Sequence, residues 1–96
     1  MSDSVRNPRV IIIDDHPMVR DALRANVVQV YPLAEVAYCG SSVSEAVNVV
    51  SASRVDLIVL DLDLGDGKPP ITNVTSMTGT GVPVLVVSAQ IGRAHV

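Results

Sequence analysis

The sequence contains no tryptophan and no phenylalanine, and its aromatic share of 2% comes from Tyr31 and Tyr38 alone. A chain this poor in rings offers no platform on which bases could stack, and its core must be assembled from Val, Ile, Leu and Ala. Positive charge is scarce too: 7 Lys and Arg stand against 10 Asp and Glu, for a formal net charge of −3. The basic residues are scattered, which argues against a surface that grips a phosphate backbone directly. The one cysteine, Cys39, cannot form an internal disulfide, and without a second Cys or a nearby His it reads as a buried core residue rather than a metal ligand. No stretch approaches the roughly 18 consecutive apolar residues of a membrane span. The opening MSDSVRNPRV carries Asp3 and lacks the apolar run of a secretory signal. A cytoplasmic location, with no membrane partner, is the expectation.

What is present is apolar and regularly punctuated. Hydrophobic residues make up 48% of the 96 and charged ones 18%, a balance that favours folding over disorder and leaves room for one domain. Residues 1–8 are polar, end in Pro8 and read as a flexible tail. Val10-Ile11-Ile12-Ile13 is an uninterrupted β-branched run that ends in Asp14-Asp15. His16-Pro17 follows, and Pro at the first helical position with an Asp before it predicts a helix opening near Pro17. Val19, Ala22, Leu23, Asn26, Val27 and Val30 mark its apolar face, and Pro32 ends it. A strand is expected over Glu35 to Gly40. Ser42-Val43-Ser44-Glu45 matches a capping box, in which Ser caps the helix and Glu reaches back to the Ser amide. The helix it opens runs to about Ser53, with Val43, Ala46, Val47 and Val50 on one face.

Leu57-Ile58-Val59-Leu60 then runs without polar alternation and delivers Asp61, as a central parallel strand covered on both faces would. Gly65, Gly67, Pro69 and Pro70 mark a loop. Ile71 to Thr78 predicts a short helix despite three threonines, closed by Gly79-Thr80-Gly81. Val82 to Val87 is a fourth apolar strand, followed by Ser88. Four strands alternate with three helices, the pattern of an α/β parallel sheet with helices on both faces. Right-handed crossovers place all strand carboxyl ends on one edge, so Asp14, Asp15, Asp61 and Ser88 can converge there. Carboxylates this close repel one another unless a cation neutralises them. Their hard oxygen atoms suit Mg²⁺, which binds through one or two carboxylates and keeps its waters.

The segments IIIDDHPMVRDALR, DLIVLDLDLGDG and VPVLVVSA, taken together and in order, resemble the receiver domain of bacterial two-component response regulators. The resemblance covers residues 9–90. It implies a flavodoxin-like (CheY-like) doubly wound sheet that lacks the family's fourth helix, fifth strand and fifth helix. It also implies that Asp61 accepts a phosphoryl group from the phosphohistidine of a sensor histidine kinase. Asp15, with Asp14 acting largely through water, and the backbone carbonyl of Asp63 would hold Mg²⁺ with Asp61. Ser88 would hydrogen-bond the phosphoryl group. The DDHP variant is similar to the LuxR/NarL-type subfamily of transcription factors, whose output is a carboxyl-terminal helix-turn-helix; DNA would be reached only through that absent domain, and the partners expected beside the kinase include a second copy of the chain in a homodimer.

The departures from the family carry their own expectations. No lysine follows Lys68, which sits in the loop as a solvated charge, so the family's phosphoryl-binding lysine has no counterpart. The last six residues, Ile91-Gly92-Arg93-Ala94-His95-Val96, fit none of the family's next helix and read as a non-native tail. His95 is given no role, and His16 reads as a helix-start residue rather than a ligand. The expected function is a phosphoacceptor rather than an enzyme. Two rivals stand beside it: a degenerate receiver acting only through protein contacts, and a haloacid-dehalogenase-like phosphatase with Asp61 as nucleophile and Asp63 as general acid. The phosphatase motif normally closes a first strand, whereas another strand precedes it here.

Overall fold

Four parallel strands form one sheet in the order β2-β1-β3-β4, in a computed structural model that describes residues 7–62, 64 and 67–87. The elements alternate as the sequence pattern predicts: β1 (Arg9–Ile13), α1 (Pro17–Val30), β2 (Glu35–Gly40), α2 (Val43–Ala52), β3 (Leu57–Asp61), α3 (Pro70–Thr78) and β4 (Val84–Val87). This is the CheY-like α/β fold. β4 begins two residues later than expected, because Pro83 contributes only its carbonyl, which accepts from Ile58 N–H at 2.9 Å.

The apolar runs of β1 and β3 are continuous because both of their faces are covered. Ile11, Ile13, Ile58 and Leu60 pack with Ala46 of α2 and Met77 of α3, while Val10, Ile12 and Val59 face Leu23 and Val27 of α1. Each such side chain, removed from water, contributes roughly 1.5–3 kcal/mol, so the two central strands hold the greater part of the core. The α1 face is the thinner of the two. No residue of α1 is fully buried, Val30 is exposed, and an apolar groove of about 440 Å³ runs between Leu23 and Val27 of α1 and Leu85 and Val87 of β4. Cys39 lies at the margin of this layer and is half-buried rather than buried.

Opposite the strand ends that carry the acids, the sheet is stapled by arginine. Arg9 donates from Nε to the Arg54 carbonyl at 2.7 Å and from a terminal nitrogen to Glu35 Oε1 at 2.7 Å. Its main-chain N–H reaches Asp56 Oδ2 at 2.8 Å, and Arg54 also pairs with Asp56. Asn7 and Pro8, which the sequence reading assigns to the tail, already belong to this frame: the Asn7 carbonyl accepts from Arg54 at 3.0 Å, and the Pro8 carbonyl from Glu35 N–H at 2.8 Å. Partly exposed pairs of this kind contribute little individually; together they fix the register of three strands.

The capping box before α2 forms by half, with a residue the sequence reading did not include. Ser42 Oγ accepts from Glu45 N–H at 3.1 Å as expected. Glu45, however, does not reach the Ser42 amide. The Tyr38 hydroxyl stands between them, accepting from Ser42 N–H at 3.0 Å and donating to Glu45 Oε1 at 2.9 Å. The ring crosses over Gly40, where a Cβ would come within 2.5 Å of the hydroxyl. Burial and the neighbouring Glu45 push the Tyr38 pKa above its usual 10.0, with the Ser42 N–H opposing them.

Tyr38→Phe removes the linking atom and leaves two polar groups to find water. We expect a loss of about 1 kcal/mol, roughly 4–8 °C in Tm for a domain of this size, measured by thermal melting; an unchanged melt would show that the hydroxyl has no role in joining β2 to α2.

Candidate functional site

The site begins with the register of two neighbouring strands. Ile13 of β1 is paired with Leu60 of β3, so Asp14 and Asp61, each one residue further on, stand side by side at the carboxyl edge of the sheet. Adjacent strands lie about 4.8 Å apart, which sets the separation of the two acids before any side chain is placed. Both residues have no exposed surface. Asp61 in turn faces Val87 of β4, and Leu62 N–H donates to the Val87 carbonyl at 2.7 Å.

Asp14 is held at nearly every polar atom. Its N–H donates to the Gly40 carbonyl at 2.9 Å and its carbonyl accepts from Arg20 at 2.9 Å. Oδ1 accepts from the His16 main-chain N–H at 2.7 Å, closing an Asx turn that leads the chain into α1, and lies 3.0 Å from His16 Nδ1. Oδ2 is buried and has no hydrogen-bond partner among the described residues. A carboxylate oxygen out of water with no donor is costly.

His16 completes the group. It is the N-cap residue of α1, yet its side chain makes no capping bond to the helix. The ring turns to the acids instead, with Nδ1 3.9 Å from Asp61 Oδ2. One ligand atom each from Asp14, His16 and Asp61 fall within 4.8 Å of one another. The hydrogen bond to Asp14 raises the His16 pKa above its usual 6.5; desolvation opposes this, and the charges of Asp14, Asp61 and Asp15 add to it.

The predicted site residues are thus distributed unevenly. Asp14 and Asp61 are brought together. Asp15 follows Asp14 on an exposed turn at the rim and is not in the tight cluster. Asp63 and Ser88 lie outside the described residues, as does the segment 91–96. Lys68 is exposed. The expectation that an Asp would cap α1 is met differently, since the Asp14 carboxylate binds the His16 amide rather than an amide inside the helix. His16 and Arg20 were missed as parts of the site; the signal for both was their spacing of two and six from Asp14, which an Asx turn followed at once by a helix folds back onto the strand end.

A parallel α/β sheet with buried acids at the ends of adjacent central strands defines a class, and the comparisons place the chain within it. The pattern of the response regulator receiver domain matches residues 10–96, and the chain belongs to that family. A comparison with curated proteins finds no match. Among solved structures, the receiver domain of the response regulator PhyR from Erythrobacter litoralis is similar at 25% identity and TM-score 0.74, covering 94% of this chain and 69% of that one. The MaeR response regulator bound to beryllium trifluoride is similar at 22% identity and TM-score 0.68, covering 92% and 75%. The receiver domain of NarL from Mycobacterium tuberculosis follows at 22% and 0.67, covering 88% and 68%. No helix among the described residues is long and apolar enough to cross a membrane.

The raised pKa of His16 has a defined consequence for stability. Protonated His16 stabilises the folded chain fully below pH 6.5, its ordinary value, and the contribution is lost as pH rises through the higher folded-state value. NMR titration of the ring should place its pKa above 6.5 in the wild type and return it toward 6.5 in Asp14→Asn. A wild-type value at or below 6.5 would contradict the assigned pairing.

Proposed function

We propose that this chain is the phosphoacceptor of a two-component system, with Asp61 as the residue modified. The observation that carries the reading is the fully buried Asp61 at the end of a central strand, set beside the equally buried Asp14. An Asp61 oxygen attacks the phosphorus of a kinase phosphohistidine. The O–P bond forms as the N–P bond breaks, and the leaving imidazole keeps the electron pair and takes up a proton. The product is an acyl phosphate on Asp61. The chain supplies the acceptor itself, which is why it is read as a signalling domain rather than as an enzyme acting on a separate substrate.

The donor set fits a divalent cation. Two buried carboxylates, one with an oxygen that no described residue satisfies, ask for positive charge. Asp14, Asp61 and the rim residue Asp15 would hold Mg²⁺, with the carbonyl of Asp63. When bound, the ion would neutralise the pocket so that an anionic phosphoryl group can enter. Asp14 and His16 orient the pocket, Arg20 fixes the corner that carries them, and Ser88 would bond the transferred group from the end of β4. The DDHP segment and the likeness to a NarL receiver support placement in the LuxR/NarL-type subfamily. There the phosphorylated domain, alone or as a homodimer, would control a DNA-binding helix-turn-helix beyond this chain, in the cytoplasm.

Incubation with a small phosphodonor and Mg²⁺, followed by peptide mass spectrometry, tests the proposal. We expect one phosphoryl group, on Asp61, and none in Asp61→Asn. A phosphoryl group on another residue, or uptake that survives Asp61→Asn, would overturn it. Steady phosphate release from a model ester would point to the phosphatase, and no uptake despite Mg²⁺ binding to a receiver that works by contact alone.

A further inference from the structure

The two outer strands of the sheet are unequally protected. β2 shifts register against β1 between Val10 and Ile11, opens on the charged Glu35 and ends on Gly40. Irregularity and charge of this kind keep an outer strand from pairing with another chain. β4 has neither. Its register against β3 is regular from Val84 to Val87, its side chains are all apolar, and Leu85 and Val86 are exposed. No charged residue occurs from Pro69 to Gly92, so α3, which packs beside β4, is uncharged throughout. The groove between β4 and α1 is lined without a charge as well. Depletion of charge at the centre of a surface patch is the compositional mark of a protein interface.

Ile58 N–H donates to the Pro83 carbonyl at 2.9 Å and Leu62 N–H to the Val87 carbonyl at 2.7 Å, so residues 83, 85 and 87 turn their main-chain groups inward to β3. Those of Val84 and Val86 therefore point away from the sheet, and among the described residues no strand lies on that side. Pro83, turned inward, removes no donor from it. We propose that β4 pairs antiparallel with β4 of a second copy of this chain, about a twofold axis through Leu85, joining the two four-stranded sheets into one. In this register Val84 of each copy stands opposite Val86 of the other, and the two exchange both N–H···O=C bonds. Every outward group of Val84 and Val86 is then satisfied. Leu85 meets its own counterpart as a non-hydrogen-bonded pair, about 4.5 Å apart at Cα, on the face that carries the groove. A slip of one residue would set side chains of opposite faces across from each other. The axis also sorts charge, which matters for chains that each carry a formal −3. It reverses the second sheet, so that Asp14, Asp15 and Asp61 of one copy lie on the same edge as Arg9 and Arg54 of the other, and the two acid clusters lie at opposite edges. A twofold contact uses up the exposed edge, and assembly stops at the dimer.

Sedimentation velocity of the whole chain, from about 1 to 100 µM, should show monomer passing to dimer and nothing larger. Leu85→Lys and Leu85→Glu each set like charges across the axis and should weaken the dimer about tenfold or more. An equimolar mixture of the two should restore association, as a heterodimer, because position 85 faces only itself. A wild type that stays monomeric, assembly beyond the dimer, or wild-type affinity in both variants would overturn the proposal. Two folded variants whose mixture remains monomeric would overturn it too. If either variant fails to fold, amide exchange in the wild type decides. The Val84 and Val86 amides should exchange about tenfold or more slower in the dimer than after dilution to monomer, while those of Leu85 and Val87, which face β3, are protected in both. A dimer in which Val84 and Val86 still exchange as in the monomer would place the contact elsewhere and refute the pairing.

Discussion

Two carboxylates that would repel each other are locked side by side, out of water, by the pairing of β1 with β3. The pairing of Ile13 with Leu60 sets the positions of Asp14 and Asp61, and one residue of slip would turn either acid to the opposite face of the sheet. The core prevents the slip. Alternate residues of both strands are committed to different layers, Ile11, Ile13, Ile58 and Leu60 to α2 and α3, and Val10, Ile12 and Val59 to α1. The arginine staple at the far end of the sheet holds the same register from below. The electrostatic strain of the site is thus carried by apolar packing that has no part in its chemistry.

What surrounds Asp14 follows from that strain. Its N–H, carbonyl and Oδ1 are occupied by Gly40, Arg20 and His16, so the side chain has no freedom to turn away from Asp61. Arg20 brings a positive charge near the acids without neutralising either carboxylate, because its bond is to the Asp14 carbonyl. The Tyr38 ring presses on Gly40 from the other side, which connects the cap of α2 to the strand end that receives the Asp14 amide. Each contact is ordinary. Their sum is a buried Asp14 with one carboxylate oxygen that no described residue satisfies.

The elements were legible in the sequence because their signals are local. An uninterrupted β-branched run predicted β1 and an uninterrupted apolar run β3, Pro17 the start of α1, and Ser42 with Glu45 α2; even the threonine-rich α3 formed where expected, anchored by Met77 and Asn73 in the core. The convergence of Asp14 and Asp61 was legible as well, since parallel topology allows little else. What could not be read locally was the fine arrangement. Tyr38 enters the capping box from the preceding strand, and His16 is diverted from capping by an acid two residues before it. The exposed position of Asp15 depends on how sharply the chain turns out of β1, which the motif alone does not state. The loose packing of α1 was likewise hidden, because its apolar spacing is regular while Val30 and Ala22 find nothing to cover them.

The central claim is that Asp14 and Asp61 oppose folding until a cation joins them. Thermal melting of the wild type and of the isosteric Asp61→Asn, in chelator and in Mg²⁺, tests it most directly. Removing one of two adjacent buried charges should raise Tm in chelator, and Mg²⁺ should raise the Tm of the wild type while leaving the variant unmoved. An Asp61→Asn protein that melts below the wild type in chelator, with equal response of both to Mg²⁺, would contradict the account.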